Sequence, residues 1–399
     1  MKGLVLEGGG AKGAFQIGAY KALTELGIKF NGVVGTSIGA LNGALIAQGD
    51  EAIAYDVWSK VSTSRLFQLT ETQYKKLVNL NLSITEIPFF LGKIKEFVKN
   101  KGLDVSLIKN LLNEVIQEDK LRKSSMDFGL VTYSLTTMKP FELFLDEIPQ
   151  GLILDYLMAS ASFPIFKLEK FAGNLFIDGG VFDNMPINLL IKKGYRDIIV
   201  VRTFGVGVYK KIIDPTVKIT YINPSEDLGG VLDFDNKNAN KNLSLGYFDT
   251  MKQWKGWKGK SYYIEAELNE DRTLELLNQF SDTTIQEVGQ IFGFDKIPTK
   301  RMLFEFIIPR IADLLGLTKE NSYEDIVIAL CEEIAKDLRL EKFKLYTMNS
   351  LIESIVNHKI KKEEETPVSF PAFLKQNEIL SRFIKTSIVK EIASKMIPQ

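Results

Sequence analysis

The chain is short of the two side chains on which most hydrolytic and metal chemistry relies. Its 399 residues include one histidine, His358, and one cysteine, Cys331. A lone cysteine excludes an intramolecular disulfide and fits a reducing compartment. One histidine and one cysteine leave no His/Cys zinc constellation, and no metal is expected. Net charge is missing too: 50 Lys+Arg balance 50 Asp+Glu, so there is no basic footprint for a nucleic acid. "MKGLVLEGGG" reaches its glycines too soon for the apolar segment of a secretory signal. One uncharged run, Phe30 to Gly49, is long enough to span a bilayer. It holds Gly32, Gly35, Gly39, Gly43 and Gly49 with Thr36, Ser37, Asn42 and Gln48, and a buried strand followed by a helix accounts for it better. A cytoplasmic protein is the expectation.

What is present alternates between strand and helix. "KGLVLEGG" reads as a short buried strand over 2–7, and "AKGAFQIGAYKALTELG" as a helix ended by Gly27. A second strand over 31–36 ends at Ser37, a helix over 38–48 stops at Gly49, and Asp50 is placed to cap a third helix. This rhythm predicts a three-layer α/β/α body with a mostly parallel central sheet. Residues 64–125 break it and read as a helical insertion, with apolar Ile84, Ile87, Phe89, Phe90 and Leu91. "FGLVTYSL", "PFELFLDEI", "NLFIDGG", "RDIIVVRTF" and "VKITYIN" read as further strands. "PQGLILDYLMASASFP" reads as a helix with Pro149 in its first turn. Beyond residue 265 the strand signal fades, which predicts a catalytic-type α/β domain over 1–265 and an all-helical region over 266–399. There, "NSYEDIVIALCEEIAKDLRL" reads as a helix with a capping box from Asn321 to Glu324. A basic amphipathic helix is expected around Leu380 to Met396.

Three elements could carry chemistry. "GTSIG", Gly35 to Gly39, puts Ser37 at a strand-to-helix bend with glycines two residues to either side, the layout of an activated nucleophile. "EGGGAKG", Glu7 to Gly13, lets several backbone N–H groups face one concavity beside a helix N-terminus. Such a nest holds a phosphate or the oxyanion of acyl transfer. Gly8, Gly10 and Gly13 also satisfy the G-x-G-x-x-G dinucleotide spacing. The acidic residue that should end the second strand is replaced by Thr36–Ser37, which counts against that reading, and no G-K-[ST] follows for a Walker loop. "DGGVFDNMP", Asp178 to Pro186, puts an aspartate at a strand end, where a doubly wound sheet places its site. The plain alternatives are a glycine-rich packing turn and an Asp-Gly turn.

In this order the three elements resemble the patatin-like phospholipase family. Gly8-Gly9-Gly10-Ala11-Lys12-Gly13 matches its glycine-rich loop. Gly35-Thr36-Ser37-Ile38-Gly39 matches its elbow, and Asp178-Gly179-Gly180 its distant D-G-[GA]. "ASASFPIF", Asn184-Met185-Pro186 and "LGYFDT" (Leu245 to Thr250) look like family landmarks as well. The resemblance covers about residues 1–255. It implies a Ser37–Asp178 dyad without histidine, an oxyanion hole at Gly8, Gly9 and Gly10, and no cofactor. The implied activity is hydrolysis of a fatty acyl ester such as a phospholipid or lysophospholipid, through an acyl-enzyme.

Two other readings stay open. Ser37, Asp178 and His358 occur in the chain order of an α/β-hydrolase triad, although "LIESIVNHKIKKEEE" reads as helix rather than as a loop after a strand. A non-catalytic lipid-binding or scaffold protein could keep the fold, but would be expected to lose Ser37 or Asp178. Lys12 could favour an anionic substrate or be a solvated helix residue. The expected partner is a lipid or acyl ester, with peripheral membrane contact open through the C-terminal basic helix.

Overall fold

The computed structural model describes residues 1–67 and 103–363, apart from 165, 168–169, 172, 266–268 and 295. The chain divides into two compact units, Met1–Gln253 and Trp254–Gln399.

The first unit is built on one sheet. Its strands are β1 (Lys2–Leu6), β2 (Gly32–Thr36), β3 (Asp127–Ser134), β4 (Lys139–Phe144), β5 (Lys170–Phe171), β6 (Asn174–Asp178), β7 (Asp197–Val201) and β8 (Lys218–Ile222). They lie in the order β5-β6-β3-β2-β1-β7-β8, with β4 beside β3. β1, β2, β3, β7 and β8 run parallel to one another. β4 and β6 are antiparallel to β3. Leu4, Val5 and Leu6 are fully buried, as continuous apolar runs in a sheet covered on both faces must be. The helices that matter to the site are α1 (Ala14–Glu25), α2 (Ile38–Ala47), α3 (Glu51–Ser59), α4 (Ser106–Val115), α5 (Ile153–Ser160), α6 (Ile187–Lys192) and α7 (Asn236–Lys255). Val5, Val34, Val131 and Val200 pack with Leu189, Leu190 and Ile191 of α6 in one cluster. Gly43 of α2 lies against Phe128, Val33 and Leu6. Alternation along β1 and β2 sends Val5 and Val34 to one face, and Leu6 and Val33 to the other. The expected layering and mostly parallel sheet are therefore what the chain forms. The uncharged run Phe30 to Gly49 is β2 and α2. Among the described residues, no helix is long and apolar enough to cross a membrane.

The register of β3 decides where the site lies. β2 pairs with it up to Thr36↔Val131. β6 pairs with it from the opposite direction and ends at Asp178↔Thr132. β4 pairs with the same β3 residues, including Val131 and Thr132, and so takes up one edge of β3. β2 and β6 thus share the other edge and run head-on toward each other. Ser37 follows Thr36 directly, so this register alone brings the ends of the two motif strands together.

The second unit is mainly helical. It includes α8 (Glu270–Asn278), α9 (Asp282–Ile291), α10 (Tyr323–Asp337) and α11 (Met348–Glu363). Leu277, Ile285, Ile307, Ile328 and Ile352 belong to its core. It also holds a two-stranded parallel sheet of β9 (Tyr263–Glu265) and β10 (Leu345–Thr347), too short to leave a period-two signature. Buried Glu332 of α10 accepts the N–H groups of Lys260, Ser261 and Tyr262 at 2.7–2.9 Å, tying the segment before β9 to that helix.

Several local expectations are corrected. α5 begins at Ile153, because Gly151 adopts φ 86 and closes a turn after Pro149. Asp50 sits at the N-cap of α3 but makes no side-chain cap bond; its carboxylate binds Lys120 instead. The capping box of α10 is Ser322 with Asp325, one residue later than expected. Asn321 is occupied in accepting the Thr318 N–H at 2.9 Å. Ile84 to Leu91 and Leu380 to Met396 lie outside the described residues.

Candidate active site

Ser37 sits at φ 56, ψ −127, between the last residue of β2 and the first of α2. A non-glycine residue here is strained, and such strain persists only where the surroundings impose it. They do so by backbone contact. A Cβ on Gly35 would lie 2.2 Å from the Gly39 carbonyl group, and one on Gly39 would lie 2.2 Å from the Leu6 carbonyl oxygen. Only glycine at both positions lets α2 start so close to β1 and β2. The turn leaves the Ser37 N–H without a strand partner. Buried Ser160 supplies one: its Oγ accepts the Ser37 N–H at 3.0 Å and donates to the Val131 carbonyl at 2.7 Å. The hydroxyl thus bridges the gap where β2 leaves β3.

Asp178 closes the same gap from the other side. Its N–H donates to the Ser162 carbonyl at 2.9 Å. Its Oδ1 accepts the Gly180 N–H at 2.8 Å. A Cβ on Gly179 would stand 2.1 Å from the Val131 carbonyl oxygen, which accounts for the glycine after the aspartate. The carboxylate is 5% exposed. Burial pushes its pKa up to about 6, against the pull of hydrogen bonds from the Ser37 side chain and the Gly180 N–H. Ser37 and Asp178 therefore line one cavity, with the serine side chain near enough to pull on the Asp178 pKa in a largely dry setting. Asp183, five residues on, is fully buried, and its carbonyl accepts the Thr36 hydroxyl at 2.8 Å. Burial pushes its carboxyl up to about 7.

The glycine loop is held by a hub that the sequence reading did not anticipate. Glu7, fully buried, follows β1 directly. Its Oε2 accepts from Arg202 Nε at 2.8 Å, from the Thr203 N–H at 2.8 Å and from the Phe204 N–H at 3.2 Å. Its Oε1 accepts the Tyr209 hydroxyl at 2.6 Å. Burial and the Glu7 charge push that phenol up to about 12. One carboxylate thereby pins the loop after β7 against the glycine loop. Thr203 Oγ1 then donates to the Gly8 carbonyl at 2.8 Å. The hint in the sequence was a charged residue at the end of each of two apolar strands, "LVLE" and "VVRTF".

The three glycines are not equivalent. The Gly8 N–H donates to the Asn184 carbonyl at 3.0 Å and is spent on structure. The N–H groups of Gly9 and Gly10 have no partner among the described residues, and both glycines line a cavity with Ser37, Asp178 and Asn184. Gly10 has φ 57, and a Cβ there would lie 2.1 Å from the Val231 carbonyl oxygen. At the start of α2 the Ile38 N–H also lacks an intrahelical acceptor. Gly13 packs under α2, where Asn42 Nδ2 donates to its carbonyl at 3.0 Å. Lys12 is neither free nor inside the cavity: its Nζ donates to the Phe204 carbonyl at 3.2 Å, and burial lowers its pKa. The cavity holds about 130 Å³. Its walls are apolar, from Leu41, Trp58, Ile108, Leu112, Phe163 and Phe234 among others. His358 lies on α11 in the second unit.

Residues 4–191 match the family model described as Patatin-like phospholipase. Lysophospholipase NTE1 of Mycosarcoma maydis is 28% identical over 199 residues, covering 50% of this chain and 9% of that protein. Patatin-like phospholipase domain-containing protein 6 of Mus musculus is 25% identical over 344 residues, covering 78% of this chain and 22% of that one. The chain thus spans less than a quarter of the length of these curated relatives. The crystal structure of VipD from Legionella pneumophila aligns with a TM-score of 0.38 at 15% identity, over 100% of this chain and 92% of that one.

Removing the Glu7 carboxylate strands Arg202 and three further donors. Glu7→Ala is expected to destabilise the first unit by about 3–5 kcal/mol, the range for breaking a buried ion pair. Urea denaturation measures this, and a loss below about 1 kcal/mol would show that the hub is not what holds the loops.

Proposed function

Taking residues 4–191 as a patatin-like phospholipase domain, we propose that this chain hydrolyses carboxylic esters of lipids that carry a fatty acyl chain, with Ser37 as nucleophile and Asp178 as base. One observation carries the reading. A serine at a strained turn and a desolvated carboxylate whose pKa its side chain influences line one apolar cavity together with two glycines whose N–H groups have no partner among the described residues.

The steps follow from that geometry. Ser37 Oγ attacks the ester carbonyl carbon while its proton passes to Asp178. A carboxylate at its ordinary pKa is a weak base for this, and burial that raises the pKa to about 6 narrows the mismatch. The carbonyl oxygen gains negative charge in the tetrahedral intermediate, and the N–H groups of Gly9 and Gly10 take it up. As the intermediate collapses, the bond to the alcohol oxygen breaks and Asp178 returns the proton to that oxygen. The acyl group stays on Ser37. Water, deprotonated by Asp178, then attacks the acyl-enzyme, releases the fatty acid and restores Ser37. The cavity walls receive the acyl chain, since apolar surface leaves water on entering.

With p-nitrophenyl esters of increasing chain length, kcat/KM is expected to rise with length, by roughly fivefold or less per methylene. Ser37→Ala removes this turnover to background. Turnover that survives Ser37→Ala, or a preference for acetate over long chains, contradicts the reading.

The pH dependence separates two buried carboxyls. Asp178 must be ionised to accept a proton, so kcat/KM rises about tenfold per pH unit below its pKa of about 6 and levels off above it. Asp183→Asn leaves that limb in place. A limb near 7 that disappears in Asp183→Asn would give control to Asp183 instead.

A further inference from the structure

Phe204 is held in a conformation and a place that packing alone does not explain. Its backbone sits at φ 48, a region where a bulky side chain is an outlier and strain points to function. Phe204 is 51% exposed. The strain is imposed from both sides: its N–H is bound by Glu7 at 3.2 Å and its carbonyl by Lys12 at 3.2 Å. Gly205 is pressed against the glycine loop, where a Cβ would meet the Gly8 carbonyl oxygen at 1.9 Å. Val206, two residues on, lines the cavity. The fold therefore keeps an aromatic ring in water beside the mouth of an apolar cavity, with the Arg202 guanidinium 4.7 Å from the ring centroid.

The charges around this ring are mostly positive. Lys12, Arg202, Lys210 and Lys211 belong to the two loops that meet here; Lys210 and Lys211 are exposed, and Lys210 Nζ stands 3.8 Å from the Phe182 ring centroid. Against them stand Glu7, fully buried and bound to Arg202, Asp227, which acts on Lys12, and buried Asp183, which faces the charge of Lys210. The loop after β7 thus carries an exposed apolar ring followed in sequence by two exposed lysines. That combination fits a surface with anionic headgroups above an apolar interior.

We propose that Phe204, with Lys210 and Lys211, docks the cavity mouth onto an anionic phospholipid surface. The ring enters the boundary between headgroups and acyl chains, and the lysines face the phosphates. The proposal rests on the lipid-hydrolase reading, since an ester dissolved in water would need no such anchor.

Its test uses the full chain with Ser37→Ala, so that binding is read without turnover. Co-sedimentation compares vesicles of phosphatidylcholine alone with vesicles of phosphatidylcholine and phosphatidylserine in equal parts. Tighter binding to the mixed vesicles is expected. Phe204→Asn, which tolerates the left-handed backbone, should lower the partition coefficient about tenfold. In a second variant, Phe204→Trp, the emission should shift to the blue when mixed vesicles are added. Undiminished binding by Phe204→Asn, or unmoved emission from Phe204→Trp, overturns the proposal. Equal binding to both vesicle types overturns the assignment to an anionic surface. Loss of Ser37-dependent ester turnover in the parent chain would instead overturn the hydrolase reading, in a separate assay.

Discussion

Two strands that run head-on along one edge of β3 set the terms for everything around them. β2 arrives at Val131 and β6 arrives at Thr132 from the other end. Neither can continue, so both must turn away at the same level. One turn carries Ser37 and the other carries Asp178. The backbone groups freed at the break have to be satisfied without water. Ser160 does this for the Ser37 N–H and the Val131 carbonyl with one hydroxyl. The Ser162 carbonyl does it for the Asp178 N–H. The glycines at 35, 39 and 179 follow from the same crowding, since a Cβ at each would strike backbone.

Such a break costs stability, and the costs fall where the proposed chemistry lies. Ser37 is strained, Asp178 is a carboxylate out of water, and Asp183 is a buried carboxyl with one oxygen lacking a partner. For an acid whose pKa rises on folding, stability falls as pH climbs from the ordinary carboxylate value through the folded one. Above about pH 6 the fold therefore carries the full penalty of an ionised Asp178. The surroundings offset it with rigid packing: a sheet buried on both faces, and the Glu7 hub that joins two loops through four hydrogen bonds.

The sheet and the three motif segments were legible because each depends on local rules. Apolar runs of strand length, glycines at a crowded bend and a helix stop at Gly27 all leave marks within a few residues. What was missed is non-local. Ser160 reaches Ser37 across 123 residues, and Arg202 reaches Glu7 across 195. No periodicity encodes such pairs. The head-on register was hidden because β6 runs antiparallel to β3, whereas β3, β2, β1, β7 and β8 are parallel to one another. Nor could the motif say that Gly8 gives its N–H to Asn184 while those of Gly9 and Gly10, which line the cavity, have no partner among the described residues. The late start of α5 and the one-residue shift of the α10 cap came from turns at Gly151 and Thr318–Asn321 that composition left ambiguous.

The central claim is that Ser37 is activated by Asp178 without a histidine. The most direct measurement is the rate at which a fluorophosphonate labels the chain, with the labelled peptide identified by mass spectrometry. The account predicts a single label on Ser37 and an unchanged rate in His358→Ala. In Asp178→Asn it predicts a rate lower by about a hundredfold or more. Labelling lost in His358→Ala but retained in Asp178→Asn would contradict it.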